Sequence, residues 1–248
     1  MSKPNKVEHV IGIHAVVALL THVPQRVLTV FLQEGRDDVR VDAIVSLATQ
    51  HGVRLQRTKK ETISQLAADL PHQGVAAQIK PAMARHESEI EGLLEKSARP
   101  LVLVLDSVQD PHNLGACLRS AEAAGATMLI APKDKAVGLT PVVRKASCGA
   151  AELIPFIQVT NLARSLEKLQ GCGLWTIGAA GEAEKTIYET DLSANAAIVL
   201  GAEGSGLRRL TRKHCDELVK IPMLGRMESV NVSVAAGICL FEAVRQRR

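Results

Sequence analysis

The chain has 248 residues, enough for one or two domains, and 46% of them are apolar, as expected where a sizeable core is buried. Thirty basic residues against 26 acidic ones give a formal charge of +4, which tolerates a polyanionic partner without demanding one. One Trp, one Tyr and three Phe exclude a surface built mainly on base-stacking aromatics, and no apolar run approaches the roughly 18 residues of a bilayer span.

The start, MSKPNKVEHV, has no signal-peptide core. Cys117, Cys148, Cys172, Cys215 and Cys239 are odd in number and never form C-x-x-C, so reduced packing thiols in a cytoplasmic protein are expected. No His/Cys cluster has zinc-ligand spacing, and no metal is expected.

The first block, residues 1–80, reads as a small α/β domain. Apolar segments VIGIHAVVALL, RVLTVFL and VRLQ alternate with the helix-like stretches DAIVSLATQHG and KKETISQLAADL. HQGVAAQI, at 72–79, reads as a turn followed by a strand. Residues 81–98, PAMARHESEIEGLLEKSA, are charged and begin with Pro81; they read as a linker holding a short helix. In the third block, 99–248, strands are expected at Leu101–Leu105, Thr127–Ile130, Leu174–Ile177, Ala197–Leu200 and Leu218–Ile221. The first four are nearly continuous apolar runs, as for strands covered on both faces. Helical stretches between most of them point to an α/β fold with a mostly parallel sheet and helices on both faces.

Ligands of open α/β sheets bind beyond the carboxyl ends of the strands, so the segments there carry the functional reading. After the first strand, Leu114, Cys117, Leu118, Ala121 and Ala124 make one helical stripe, and Arg119 lies nearly opposite it. Arg119 is either a solvated helix arginine or one presented to a polyanion or a second subunit. Asn113 is a helix cap or a site residue. GAAGEAEKT and GAEGSGLRRLTRKHC follow two consecutive strands, but neither has G-x-G-x-x-G nor the Lys-Ser/Thr of a P-loop. Glu203 in the second loop would repel phosphate and suit a hydroxyl, an amine or a cation. Ser229, Asn231 and Ser233 open a last helix, Val232–Val244, that is apolar around nearly its whole circumference and must be buried in a core or against a partner.

Three ordered segments make the reading specific: N-L-G-x-x-x-R-S-A at Asn113–Ala121, I-V-L-G-A-E-G-S-G-L at Ile198–Leu207, and I-P-M-x-G-x-x-x-S-V-N-V-S-V-A at Ile221–Ala235. They resemble the three motifs of the SpoU branch of the SPOUT RNA methyltransferases. G-I-H-A-V (Gly12–Val16) and H-Q-G-V (His72–Val75) resemble that branch's RNA-substrate-binding domain. The resemblance covers the chain apart from the linker; Val230 and Met227–Glu228 depart from the usual pattern. It implies a trefoil knot in 99–248, an obligate homodimer and bound S-adenosyl-L-methionine. It also implies 2′-O-methylation of a guanosine in the peptidyl-transferase region of 23S rRNA.

Carried onto this chain, the resemblance gives the cofactor Gly201, Ile221 and Val230, with Gly178 and Ala179 beside them. Asn113, Arg119, Glu203, Ser229 and Asn231 become the polar residues of the reaction. Arginine stays protonated, so Arg119 is expected to bind the target phosphate and stabilise a developing alkoxide rather than act as a base. Lys59, Lys60, Arg208, Arg209, Arg212 and Lys213 are candidate RNA contacts, while His14 and His72 are either contacts or structural. A nicotinamide-dependent dehydrogenase has the same coarse pattern but needs the glycine fingerprint missing here. A tRNA ribose methyltransferase and a non-catalytic rRNA-binding assembly factor stay open.

Overall fold

The computed structural model describes residues 7–36, 38–67 and 72–248. They fall into two compact units: the residues up to Met83 with Arg144–Leu153, and Ala84–Val143 with Ile154–Arg248.

In the first unit the run VIGIHAVVALL is two elements. The chain turns at Gly12 (φ +97°), between β1 (Glu8–Ile11) and α1 (Ile13–His22). Next come β2 (Val27–Gln33), α2 (Val39–Gln50), β3 (Arg54–Thr58), α3 (Lys60–Ala67) and β4 (Val75–Ile79). The end of the helix expected over 59–70 falls at 68–70, outside the described residues. The sheet order is β1-β4-β2-β3, with β4 antiparallel to both neighbours and β2 parallel to β3. α2 starts where Asp38 accepts from the backbone N–H groups of Arg40 and Val41, at 3.0 and 3.3 Å. Val16, Leu19 and Leu20 of α1 close the core over Val30, Val75 and Ile79. His72 is buried and bonded within the unit: its Nδ1 accepts from Gly74 N–H at 3.0 Å, which leaves Nε2 to donate to Ser64 Oγ, also at 3.0 Å. His14 lies exposed on α1.

The excursion Arg144–Leu153 completes this unit. Glu152, its side chain 1% exposed, is gripped by the guanidinium groups of both Arg26 and Arg144. It also accepts from Ala82 N–H at 2.6 Å, while Arg26 donates to its main-chain carbonyl at 2.7 Å.

The second unit begins with α4 (Ile90–Leu94). Ile90 and Leu94 stand in the segment whose composition reads as a linker, yet both are buried in this unit's core. Then follow β5 (Leu101–Asp106), α5 (Pro111–Ala123), β6 (Met128–Pro132) and α6 (Pro141–Ala146). Past α7 (Ala150–Leu153) in the excursion come β7 (Phe156–Val159), α8 (Leu162–Gly171) and β8 (Trp175–Ala179). β9 (Ala196–Gly201), α9 (Arg209–Lys213), β10 (Glu217–Val219) and α10 (Val232–Gln246) complete the chain. All pairings are parallel, in the order β10-β8-β9-β5-β6-β7.

Every residue of β5 is buried. Val102 and Val104 share one core with Ile90 of α4 and Leu166 of α8. Successive strand side chains alternate, so Leu101, Leu103 and Leu105 point the other way. α5 packs on α10, and α10 on β9. α10 buries Val232, Ala236, Cys239, Leu240 and Ala243, whereas Val234 and Phe241 are each 49% exposed. One face of this apolar helix is therefore covered within the chain and another is not. β7 carries no strand pattern in the sequence, being a four-residue edge strand interrupted by a half-buried Gln158.

Candidate active site

The direction in which the chain crosses the parallel sheet reverses between β5 and β9. After β5 the chain moves out to β6 and β7; after β9 it moves the opposite way, to β10 beyond β8. Such a reversal opens a crevice at the carboxyl ends, because the two connections diverge. Two cavities lie there. The larger, about 780 Å³, is walled by the segments after β8, β9 and β10, among them Ala179, Gly201, Glu203, Ile221, Ser229 and Val230. That volume is in the range of small-molecule sites. The smaller, about 290 Å³, is walled by Ser107, Gln109, Asp110 and Asn113 after β5 and by Glu203 and Ser205 after β9. Glu203 borders both.

Three of the sequence candidates meet in one hydrogen-bonded cluster. Asn113 Nδ2 donates to Glu203 Oε1 at 3.0 Å, and Asn231 Nδ2 donates to Asn113 Oδ1 at 3.0 Å. Asn231 also donates to the same Glu203 oxygen. Asn113 can do this because it is not the cap of α5. That task falls to Asp110, which accepts from His112 N–H at 2.6 Å and Asn113 N–H at 3.4 Å, with Pro111 in the first helical turn. Asn231 does both jobs. It is the N-cap of α10, its Oδ1 accepting from Ser233 N–H at 2.8 Å, while its amide nitrogen faces the cluster.

The loop after β9 turns back on itself. Gly206 N–H donates to Ala202 O at 2.9 Å, and Ser205 N–H to Glu203 O at 2.9 Å. A side chain at Gly201 would run into the main chain of Gly206 and Leu207, so only glycine lets the hairpin close there.

Gly178 is not part of either cavity wall. The place of its missing Cβ is crowded by Leu218, Cys215 and Leu207 at 2.8–2.9 Å, so this glycine serves packing behind the site. Arg119 is exposed on α5 and lies in neither wall. It sits six residues beyond Asn113, about 9 Å along the helix. The candidate RNA contacts Lys59, Lys60, Arg208, Arg209, Arg212 and Lys213 are all exposed, and two of them are also bonded to carboxylates, Arg208 to Asp106 and Arg212 to Glu182.

Burial pushes the thiols of Cys117 and Cys239 up to about 12. Cys215 also rises to about 12, through burial first and then the carboxylates of Asp216 and Asp106. These thiols stay protonated and supply no nucleophile. Among the described residues no group of three or more His, Cys, Asp or Glu is placed to hold a metal ion, and no helix is long and apolar enough to cross a membrane.

Residues 100–241 match the model of the SpoU rRNA methylase family, and residues 9–84 match that of the RNA 2′-O ribose methyltransferase substrate-binding domain. The chain belongs to the SpoU rRNA methylase family. Among SpoU relatives it is 54% identical over 245 residues to the 23S rRNA (guanosine-2′-O-)-methyltransferase RlmB of Pseudomonas putida, with 98% of each chain covered. It is 50% identical over 241 residues to RlmB of Pasteurella multocida, covering 97% of this chain and 98% of that one. The SpoU fold recurs in the AdoMet-bound rRNA methyltransferase of Sinorhizobium meliloti, at a TM-score of 0.71 and 22% identity, over 96% of this chain and 87% of that one. The SpoU methyltransferase AviRb of Streptomyces viridochromogenes, in complex with AdoMet, superposes at 0.69 and 22% identity, over 96% of this chain and 89% of that one.

Proposed function

We propose that this protein transfers a methyl group from S-adenosylmethionine to the ribose 2′-hydroxyl of a guanosine in 23S rRNA, in the peptidyl-transferase region. The observation that carries the reading is the Asn113–Glu203–Asn231 cluster, set between a cofactor-sized cavity and a smaller polar one. The relatives named above act on a 23S rRNA guanosine, which gives the substrate.

The larger cavity suits the cofactor. Leu200, Ile221 and Val230 offer an apolar wall for an adenine ring, and Glu203 offers an anion to a cationic sulfur or amine. S-adenosylmethionine supplies an electrophilic methyl group there. The chain's own residues then have three tasks. Gly201, Ile221 and Val230, with Ala179, hold the cofactor by main chain and apolar contact. Asn113, Glu203, Ser229 and Asn231 orient the 2′-hydroxyl, Glu203 accepting its hydrogen bond. Arg119, which lies outside both walls, is assigned the neighbouring phosphate and the electrostatic stabilisation of the negative charge on the 2′-oxygen as its proton is lost to solvent.

The same reading includes a trefoil knot in the second unit and a homodimer. A dimer is supported by the half-exposed Val234 and Phe241, which stand seven residues apart on one face of α10. Lys59 and Lys60 of the first unit would grip rRNA by its phosphates, and the activity belongs in the cytoplasm with its substrate.

The test is to incubate the purified protein with S-adenosylmethionine and large-subunit rRNA and map ribose methylation by mass spectrometry of nuclease fragments. One modified guanosine is expected. Methylation of tRNA instead would shift the substrate, and binding without methylation would reduce the protein to an assembly factor.

A further inference from the structure

We infer that Asp106 is the positioning carboxylate of this site, and that Arg208 serves Asp106 rather than RNA; the inference rests on the methyl-transfer reading above. Asp106 ends β5 and pairs in register with Gly201, the last residue of β9. Its side chain is wholly buried. Oδ1 accepts from Arg208 Nε at 2.5 Å and from Ser107 Oγ at 3.1 Å, and Oδ2 accepts from the backbone N–H of Arg208 at 3.0 Å.

The hairpin that carries Glu203 starts at Gly201 and ends at Arg208. Both ends are thus tied to one residue, the first through strand pairing and the second through a charge-assisted pair of hydrogen bonds. The same carboxylate reaches the other wall of the smaller cavity. Ser107 has φ +66°, a left-handed conformation uncommon outside glycine, and its hydroxyl is bonded to Asp106. Three residues later Asp110 caps the helix that presents Asn113. One buried charge therefore connects the two loops whose side chains meet at Asn113 and Glu203. A buried carboxylate is tolerated only when its bonds are made, and once made they hold the surrounding chain rigidly. Arg208 supplies a main-chain donor, which any residue but proline would keep, and an Nε donor part-way along its side chain, which the terminal ammonium of lysine does not place in the same position.

The test uses the full-length protein and the variants Arg208→Ala, Arg208→Lys and Asp106→Asn. Arg208→Ala should lower kcat about tenfold to 100-fold, as expected for a displacement of the order of an ångström at the site. Its affinity for rRNA, and the slope of that affinity against salt, should stay at the wild-type level. Hydrogen exchange over 202–207 should quicken while β5 and β9 keep their protection. Arg208→Lys should recover only part of the rate. Asp106→Asn should behave like Arg208→Ala; if it does not fold, the two arginine variants still decide. An Arg208→Ala protein with unchanged exchange over 202–207 and a salt slope reduced by about one would make Arg208 a phosphate contact and overturn the inference. A wild-type protein that leaves rRNA unmethylated would sink the functional reading, and the exchange measurement would still decide the role of Asp106.

Discussion

Glu152 in the first unit and Asp106 in the second are both carboxylates removed from water and met by arginine, but their surroundings differ. Glu152 is held by two guanidinium groups and the Ala82 N–H, and it joins three stretches of chain that are far apart in sequence. No wall of either cavity described above includes it. Asp106 has a single arginine, and everything it binds belongs to loops that line a cavity. The same chemistry secures a fold in one place and sets the geometry of a reaction in the other. Removing the first should be read in stability and disturbing the second in rate.

The largest effect is expected from Glu152→Ala, which leaves Arg26 and Arg144 facing each other without their anion. A loss of about 3–5 kcal/mol is expected in denaturant unfolding of the first unit. A loss below about 1 kcal/mol would remove the contrast with Asp106. Glu203→Gln sharpens the contrast from the other side. Its cluster is exposed, so kcat should fall about 10²–10³-fold while stability moves by less than about 0.5 kcal/mol. Steady-state kinetics beside a melting curve separates the two.

Gly201→Ala stands between these cases, because a new Cβ meets the main chain of Gly206. About 1–3 kcal/mol of stability should be lost through overpacking, and calorimetry should show weakened S-adenosylmethionine binding. At neutral pH the smallest effect concerns the thiols, which keep their protons both folded and unfolded there. Cys117, Cys215 and Cys239 keep their protons to about 12, against an ordinary value of 9.0. The unfolded chain releases those protons from about pH 9 upward while the folded chain retains them, so stability should fall as pH rises through that window. At pH 8 iodoacetamide should label the exposed Cys172 well before these three.

Much of the second unit was legible because buried parallel strands are written as continuous apolar runs. L-V-L-V-L at Leu101–Leu105 and A-I-V-L at Ala197–Leu200 lie within observed strands. β7 was not legible, since an edge strand of four residues with Gln158 inside it carries little pattern. In the first unit the turn at Gly12 divided one apolar run into a strand and a helix, which periodicity does not reveal. The motifs pointed to Asn113, Glu203 and Asn231, and the fold brings them together. Asp110 could have been read as a cap from its place before Pro111. Asp106 had only a weak signal, the first acidic residue after an apolar strand, because its partner Arg208 is 102 positions away and a distance in sequence says nothing about a contact in space. Gly178 stands outside the three motifs and is placed beside the cofactor by the resemblance alone, whereas the side chains that crowd it are visible only in the fold.

The excursion of Arg144–Leu153 into the first unit has a consequence for synthesis. A domain made of one unbroken stretch can finish folding while the ribosome is still extending the rest. Here the first 83 residues emerge without Glu152, the anion that closes over Arg26, and must wait until residue 153 has been made. A gene fragment cut anywhere in the charged segment 81–98 would yield an amino-terminal piece with Arg26 unneutralised and part of its core wall missing, and such a piece should be captured by chaperones or degraded.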